Sequence, residues 1–157
     1  ESYAKGKAIL NMFYAKNDGA WTVPLAIEKG FRISIGSYSI TGKIDRVDRT
    51  EAGTLHIIDY KPGKAKDKLT SEDKEQLLLY QIAAETLPAY RTFGAVETLT
   101  YMYLSEQTEV SFLGDEKQKQ RLEENIIELL DRLHTTDFSH ITTDDACGRC
   151  EVCKFLV

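Results

Sequence analysis

The sequence predicts an α/β fold, with a central mixed sheet of about five strands flanked by helices. Two patterns predict it. Several short segments alternate apolar and polar residues with a period of two, and other segments repeat apolar residues at helical spacing before, between and after them. The chain has 157 residues, of which 42% are hydrophobic, so one globular domain can bury a single core. We therefore expect residues 1–157 to form one domain.

The first half of the chain predicts a helix followed by three strands. A loose helical pattern covers residues 3–14. Apolar residues then alternate over residues 25–35, and a second strand over residues 38–49 completes a hairpin. A third strand over residues 55–60 is apolar on both faces, which is typical of the middle of a sheet.

The second half predicts two helices separated by two strands. Ser71 is expected to cap a helix over residues 72–87, which stops ahead of Pro88 and has Leu79, Ala83 and Leu87 on its apolar face. Strands are expected over residues 96–104 and 109–113. A long amphipathic helix over residues 115–134 should turn five apolar side chains inward: Leu122, Ile126, Leu129, Leu130 and Leu133.

The balance of charges narrows the possible functions. Twenty Lys and Arg against 25 Asp and Glu give a net charge of −5, whereas a protein that coats DNA by phosphate neutralisation alone is usually basic. An acidic chain is still compatible with a nuclease, because carboxylates that bind divalent metal are neutralised when the metal binds.

The apolar stretches are short. None approaches the roughly 20 residues that cross a bilayer, and no basic-then-apolar leader opens the chain. We expect a soluble intracellular protein, located in the prokaryotic cytoplasm or nucleoid, with no membrane partner. Because the first residue is Glu1 rather than Met, we also expect the sequence to be part of a longer protein.

The third strand ends in a pair of charged residues. Asp59 and Lys61 are two residues apart, so their side chains leave the same face of the sheet. Burying such a pair at the end of a central strand costs free energy unless the charges are paired or bind a metal. An Asp–Lys ion pair where the strand reaches water is the structural alternative.

Asp45 on the neighbouring strand favours the metal interpretation. Strand pairing could bring its carboxylate close to that of Asp59, and two carboxylates with a lysine suit Mg²⁺ or Mn²⁺. Such a site can activate water and stabilise a phosphoryl transition state, with the Lys61 ammonium as the orienting group. Gln76 and Tyr80, four residues apart on the next helix, can face these carboxylates or form an ordinary helix edge.

Three motifs in this order resemble the RecB-like branch of the PD-(D/E)XK nucleases, which have a restriction-endonuclease-like fold. The motifs are Gly-x-x-Asp-Arg-x-Asp from Gly42 to Asp48, Asp-Tyr-Lys-x-Gly from Asp59 to Gly63, and Gln-x-x-x-Tyr from Gln76 to Tyr80. The resemblance extends over most of the chain and implies a metal-dependent DNA nuclease.

The resemblance also implies a role for each site residue. Asp45 and Asp59 would bind Mg²⁺ or Mn²⁺ with help from the carbonyl of Tyr60. Lys61 would be catalytic, and two residues would complete the site: Gln76 and Tyr80. Glu28 resembles the acidic position of the first strand in the family and is a weaker metal ligand candidate, with a solvated strand glutamate as the alternative.

The sequence departs from the pattern of the family at a metal-binding histidine. Many family members have a metal-binding His on a helix before the first strand, but no His precedes His56 here, and we expect that helix to lie before Glu1. His56 and Ile58 lie on the strand face opposite Asp59, so His56 is expected to be structural.

A basic run beside the site is a candidate phosphate contact, although a solvated loop is its usual explanation. It comprises Lys61, Lys64, Lys66 and Lys68. In the family, such domains are commonly fused to superfamily 1 DNA helicases, and the resemblance implies a DNA repair or recombination helicase-nuclease whose motor is covalently linked. The main rival is a noncatalytic nuclease-fold module used for DNA binding or docking.

The three cysteines occur within seven residues near the end of the chain. Cys147, Cys150 and Cys153 form two successive C-x-x-C steps in a Cys-rich extension over residues 135–157, which favours a metal cluster over a disulfide framework or a reactive tail. AddB-like relatives hold an iron–sulfur cluster with one Cys before the nuclease core and three after it. That resemblance implies an iron–sulfur cluster here, and a zinc site completed by His140 is the alternative.

Overall fold

The computed structural model describes residues 2–66 and 68–136. Within them the chain forms, in order, α1 (Ser2–Asn17), β1 (Ala26–Ile35), β2 (Tyr38–Arg49), β3 (Leu55–Lys61), α2 (Ser71–Thr86), α3 (Pro88–Arg91), β4 (Val96–Tyr103), β5 (Thr108–Phe112) and α4 (Glu116–Thr135). The α/β class is therefore confirmed, with helices placed before, between and after the strands.

The strands of this described part form one five-stranded sheet in the order β1-β2-β3-β4-β5. The β3–β4 pair is parallel and the other pairs are antiparallel, so the sheet is mixed, as expected. A parallel pair needs a crossover connection, and α2 and α3 supply it. The ends of β3 and β4 consequently lie side by side, with α2 nearby.

The core lies between the sheet and helices α2 and α4. Its fully buried side chains include Ile44, Leu55, Ile57, Leu77 and Leu99 from β2, β3, α2 and β4, together with Tyr90 of α3. The apolar face predicted for α2 makes up only part of the surface that this helix buries. Ala83 is fully buried, whereas Leu79 and Leu87 are partly buried at the edge of the core.

The start of α2 differs from the sequence prediction by one residue. Thr70, not Ser71, is the N-cap, because Thr70 is extended (φ −74°, ψ 173°) and its hydroxyl accepts a bond from Asp73 N at 3.2 Å. Asp73 in turn accepts from Thr70 N at 2.9 Å, which completes a capping box. The short helix α3 was not predicted. Pro88 ends α2 but begins α3, because a proline is tolerated at the first position of a helix.

The inner face of α4 is shorter than predicted. Leu122 is buried and Ile126 packs against the core, but Leu129 and Leu133 are 55% and 49% exposed within the described structure. The prediction that these last two side chains point inward is therefore wrong. Helical periodicity identifies a face but not how far the neighbouring elements extend along it.

None of the helices in the described part of the chain is both long and apolar enough to cross a membrane.

Candidate active site

The candidate site begins at the end of β3, where Asp59, Tyr60 and Lys61 follow one another on a strand that lies between β2 and β4. Asp59 is 2% exposed, because β3 lies inside the sheet with α2 packed nearby, and its register partner on β4 is Tyr101. Lys61 and Asp59 share a face, as the strand period requires, and Lys61 Nζ lies 2.6 Å from Asp59 Oδ2. The ion pair considered from the sequence is therefore present.

Gln76 links the two charges of this pair. Its Oε1 accepts a hydrogen bond from Lys61 Nζ at 2.6 Å, and its Nε2 donates to Asp59 Oδ1 at 2.8 Å. The same amide nitrogen donates to the Tyr80 hydroxyl at 2.8 Å, one helical turn further along α2. The structure thus brings the Asp-x-Lys and Gln-x-x-x-Tyr motifs into one hydrogen-bonded network.

Asp45 joins the site from β2. The antiparallel register pairs Arg46 with Ile58, so Asp45 and Asp59 are the next residues along the two strands. Asp45 Oδ2 accepts a hydrogen bond from Tyr60 N at 3.0 Å, which fixes this carboxylate against the backbone between Asp59 and Lys61.

The surroundings of the site oppose further negative charge. Burial raises the pKa of Asp59, the neighbouring Lys61 ammonium opposes that rise, and the Asp45 carboxylate adds to it. Burial also raises the pKa of the Tyr80 phenol; the bond from Gln76 opposes this rise, while the charges of three acidic residues add to it: Asp59, Asp45 and Glu28. Tyr80 consequently stays a neutral phenol at physiological pH.

The oxygen atoms fit a hard divalent cation. Asp59 Oδ2 is shielded from solvent and, within the described residues, accepts no well-aligned hydrogen bond, although the Lys61 ammonium lies beside it. No group of three or more acidic, His or Cys side chains suited to a metal was found in that part of the chain. A cation held by Asp45 and Asp59 would therefore keep several water or phosphate oxygens, as Mg²⁺ commonly does.

Glu28 lies at the edge of this arrangement. On β1 it falls between Ile27, which pairs with Arg46, and Lys29, which pairs with Ile44, so it is level with Asp45. Its φ of +50° is unusual for a residue other than glycine, and its side chain is 60% exposed at 3.7 Å from Lys43. Glu28 thus faces solvent beside Lys43, and its metal role stays a prediction.

Two contacts around the site were not anticipated from the sequence. The Lys61 ammonium lies over the ring of Tyr101, 5.1 Å from its centroid, and the Tyr101 hydroxyl donates to the Asp73 carbonyl at 2.6 Å. Arg46 makes two 2.8 Å bonds to Asp48. Arg46 and Asp48 are two residues apart in the first motif, and this spacing could have predicted their pairing. No sequence pattern relates Tyr101 to Lys61, because the two residues are far apart in the chain.

The remaining candidates lie away from this network. His56 is half-buried and its Nε2 lies 2.7 Å from Thr100 Oγ1, as a structural role would require. Lys66 of the basic run pairs with Asp73 at the start of α2 instead of standing free for phosphate. The cysteine cluster and its possible zinc partner lie outside the described residues: Cys147, Cys150, Cys153 and His140.

The arrangement is suited to chemistry on a phosphate ester. Two carboxylates and a backbone carbonyl can hold a cation, while a partly exposed ammonium held by two partners can stabilise negative charge that develops on a phosphate oxygen. Because the lysine is held in place by Asp59 and Gln76, little reorganisation would be needed during a reaction.

Comparison with known proteins agrees with this chemistry. A family model of the PD-(D/E)XK nuclease superfamily matches residues 6–155. Among solved structures, the chain is similar to one described as "Crystal structure of SSO0001", with 22% identity and a TM-score of 0.47. The match covers 82% of this chain and 61% of that one. The search of curated proteins found no match.

Proposed function

We propose that this chain, which belongs to the PD-(D/E)XK nuclease superfamily, is a metal-dependent deoxyribonuclease that hydrolyses phosphodiester bonds. The observation that carries the proposal is the network in which Gln76 bridges Lys61 and the buried Asp59 at 2.6 and 2.8 Å. A structural ion pair at the end of a strand does not need this bridge. A catalytic lysine does, because its ammonium has to be held in one place.

In this proposal Asp45, Asp59 and the carbonyl of Tyr60 hold Mg²⁺ or Mn²⁺. The bound cation would supply Lewis-acid polarisation of the phosphate. Lys61 orients the attacking water or donates to the phosphate oxygen that gains charge, and Gln76 holds the ammonium in place. Tyr80, a neutral phenol, accepts from Gln76 and keeps that amide turned toward Asp59.

The test is a cleavage assay on single-stranded and duplex DNA with Mg²⁺ or Mn²⁺, combined with Mn²⁺ calorimetry. Asp45→Asn and Asp59→Asn should lose cleavage and bind Mn²⁺ more weakly, because each variant lacks an anionic ligand. Glu128→Gln, which removes an exposed carboxylate on α4, is the matched control and should keep both. Wild-type Mn²⁺ affinity in both Asp variants would overturn the metal site.

The same assay decides the noncatalytic alternative. DNA binding without cleavage by the unaltered chain, with either metal, would assign it to a docking or DNA-binding module.

We further propose that the chain is the nuclease part of a RecB-like helicase-nuclease that repairs or recombines DNA in the prokaryotic cytoplasm. The order and spacing of the three motifs support this assignment. A full-length protein of this kind should hydrolyse ATP only when DNA is present. DNA-independent or absent ATP hydrolysis by that protein would argue against a helicase partner.

The iron–sulfur cluster at Cys147, Cys150 and Cys153 is retained as a proposal, supported by the two C-x-x-C steps. Anaerobic purification of the full-length protein should give broad visible absorbance that Cys150→Ser abolishes. Stoichiometric zinc in a colourless sample would favour the zinc alternative.

A further inference from the structure

Helix α1 has an inner and an outer stripe of residues. The inner stripe is half-buried and spaced by three or four residues, so it lies on one face of the helix: Gly6, Ile9, Phe13 and Asn17. The outer stripe has the same spacing but is exposed, and it consists of Tyr3, Lys7, Leu10 and Tyr14. Tyr3, Leu10 and Tyr14 are 84%, 60% and 62% exposed within the described structure. Large apolar side chains are thus presented to solvent along about three turns of helix.

The charge of α1 is opposite to that of the chain. The helix contains Lys5, Lys7 and Lys16 and no acidic residue, although the whole chain has a net charge of −5. A basic segment with exposed aromatic rings in an otherwise acidic protein is suited to a polyanion that also has flat apolar faces.

Trp21 extends this surface beyond the end of α1. Its ring is 47% exposed and lies 5.6 Å from the ring of Tyr14, between centroids. On its other side Trp21 meets Phe13 edge-to-face at 5.8 Å, and Phe13 meets Tyr60 in the same way at 6.0 Å. Tyr60 is the residue between Asp59 and Lys61, but its side chain leaves the opposite face of β3, so the aromatic surface begins at the same strand end as the candidate active site and on the other face of the sheet.

We propose that the outer stripe of α1 and Trp21 bind single-stranded DNA near the strand end that carries the active site; this inference rests on the proposed nuclease function. Successive bases would stack on Tyr14, Trp21 and Tyr3, while Lys7 contacts phosphate. From Tyr3 to Tyr14 the helix spans roughly 16 Å, which is enough for several nucleotides. Single-stranded DNA is the occupant because the base faces of a duplex are already stacked inside it and unavailable to aromatic side chains.

The test uses the fluorescence of Trp21, which is the only tryptophan of the chain. With EDTA present to prevent cleavage, a 15-nucleotide oligo(dT) should quench this fluorescence, whereas a blunt duplex of the same length should not. Tyr14→Ala should weaken oligo(dT) binding at least about fivefold, and Tyr14→Phe should retain affinity because it keeps the ring. Equal quenching by the duplex, or unchanged affinity in Tyr14→Ala, would overturn the proposal.

Two pairs of variants control for general effects of substitution. Lys7→Ala should reduce the slope of log affinity against log salt by about 0.7, whereas Lys117→Ala, an exposed lysine on α4, should leave it unchanged. Leu10→Ala should weaken binding, and Leu129→Ala should not, although the two leucines are 60% and 55% exposed. Equal effects of the two substitutions within either pair would show that DNA does not bind specifically to α1.

The outcomes separate this inference from the proposed function. Quenching of Trp21 without any cleavage by the unaltered chain in Mg²⁺ or Mn²⁺ would support the binding surface and refute the nuclease. Cleavage that persists while oligo(dT) leaves Trp21 unquenched would refute the surface and support the nuclease. Lys61→Ala should keep the quenching, because it leaves α1 unchanged.

Discussion

Lys61 is held by three different groups, and each limits its freedom in another direction. Asp59 supplies an opposite charge, Gln76 accepts a hydrogen bond, and the Tyr101 ring lies beneath the ammonium. A long side chain that loses this much rotamer freedom pays an entropic cost. A fixed conformation of this side chain is expected if the ammonium acts on one particular atom during the reaction.

Replacing Lys61 tests that role directly. Lys61→Ala should lower kcat by about a hundredfold or more, because one preorganised donor to the developing charge is lost, while Mn²⁺ affinity is retained. Lys117→Ala, which removes an exposed lysine on α4, is the control and should stay near wild-type activity. Unchanged turnover of Lys61→Ala would remove this lysine from the mechanism.

Tyr101 should act as a positioning residue through Lys61. Tyr101→Leu removes the aromatic face under the ammonium and should lower kcat about two- to thirtyfold, the equivalent of roughly 0.5–2 kcal/mol of cation–π attraction, with KM little changed. Tyr101→Phe keeps that face and should restore kcat, although it loses the bond to the Asp73 carbonyl. If both variants lower kcat equally, the hydroxyl or the packing matters instead of the ring.

At the scale of elements, the hairpin of β1 and β2 supports the site through one glycine. Gly42 faces Phe31 across the pair, and a Cβ at Gly42 would lie 2.6 Å from the Phe31 ring. The space allows Phe31 to lie over β2 and meet Tyr80 edge-to-face at 5.9 Å. Since Tyr80 accepts from Gln76, the glycine of the first motif and the tyrosine of the third belong to the same packing arrangement.

Gly42→Ala should therefore destabilise the protein by about 1–3 kcal/mol, because the Phe31 ring has to shift within a packed core. Urea unfolding measures the change. The control is Gly30→Ala in the neighbouring strand, where the nearest atom to a new Cβ is the Gly42 carbonyl oxygen at 3.8 Å. Equal stability of the two variants would show that Phe31 adapts without cost.

At the scale of the whole molecule, the stability of the fold should depend on pH through His56. Burial lowers the pKa of His56 below its ordinary value near 6.5, and Arg46 lowers it further, while three acidic residues oppose this: Asp48, Glu109 and Glu97. A histidine with a lowered pKa in the folded state takes up its proton first in the unfolded chain. Its contribution to stability is therefore present above about pH 6.5 and is lost as the pH falls below that value.

His56→Gln should remove this part of the pH dependence. The free energy of unfolding of the wild type, measured in urea, should fall between pH 7 and pH 5 more steeply than that of the variant. Parallel curves for the two proteins would mean that His56 takes up its proton equally in both states.

Much of this molecule could be predicted from the sequence because the signals are local. The alternation over residues 25–35, with a partner strand over residues 38–49, predicts a hairpin, and the structure has β1 and β2 there. The two-residue spacing of Asp59 and Lys61 and the four-residue spacing of Gln76 and Tyr80 each fix a shared face within one element. Spacing of this kind follows from backbone geometry alone, so no tertiary information is needed.

Other features depended on which elements meet. The bond from Gln76 to Asp59, the Tyr101 ring under Lys61 and the exposure of Leu129 on α4 are decided by packing between distant parts of the chain. The sequence by itself determined the class of fold, the order of the three motifs along the chain and the residues available for chemistry. Only the tertiary structure decided which of them touch, because backbone periodicity sets the direction of a side chain, whereas its partner is set by the register and packing of elements far away in sequence.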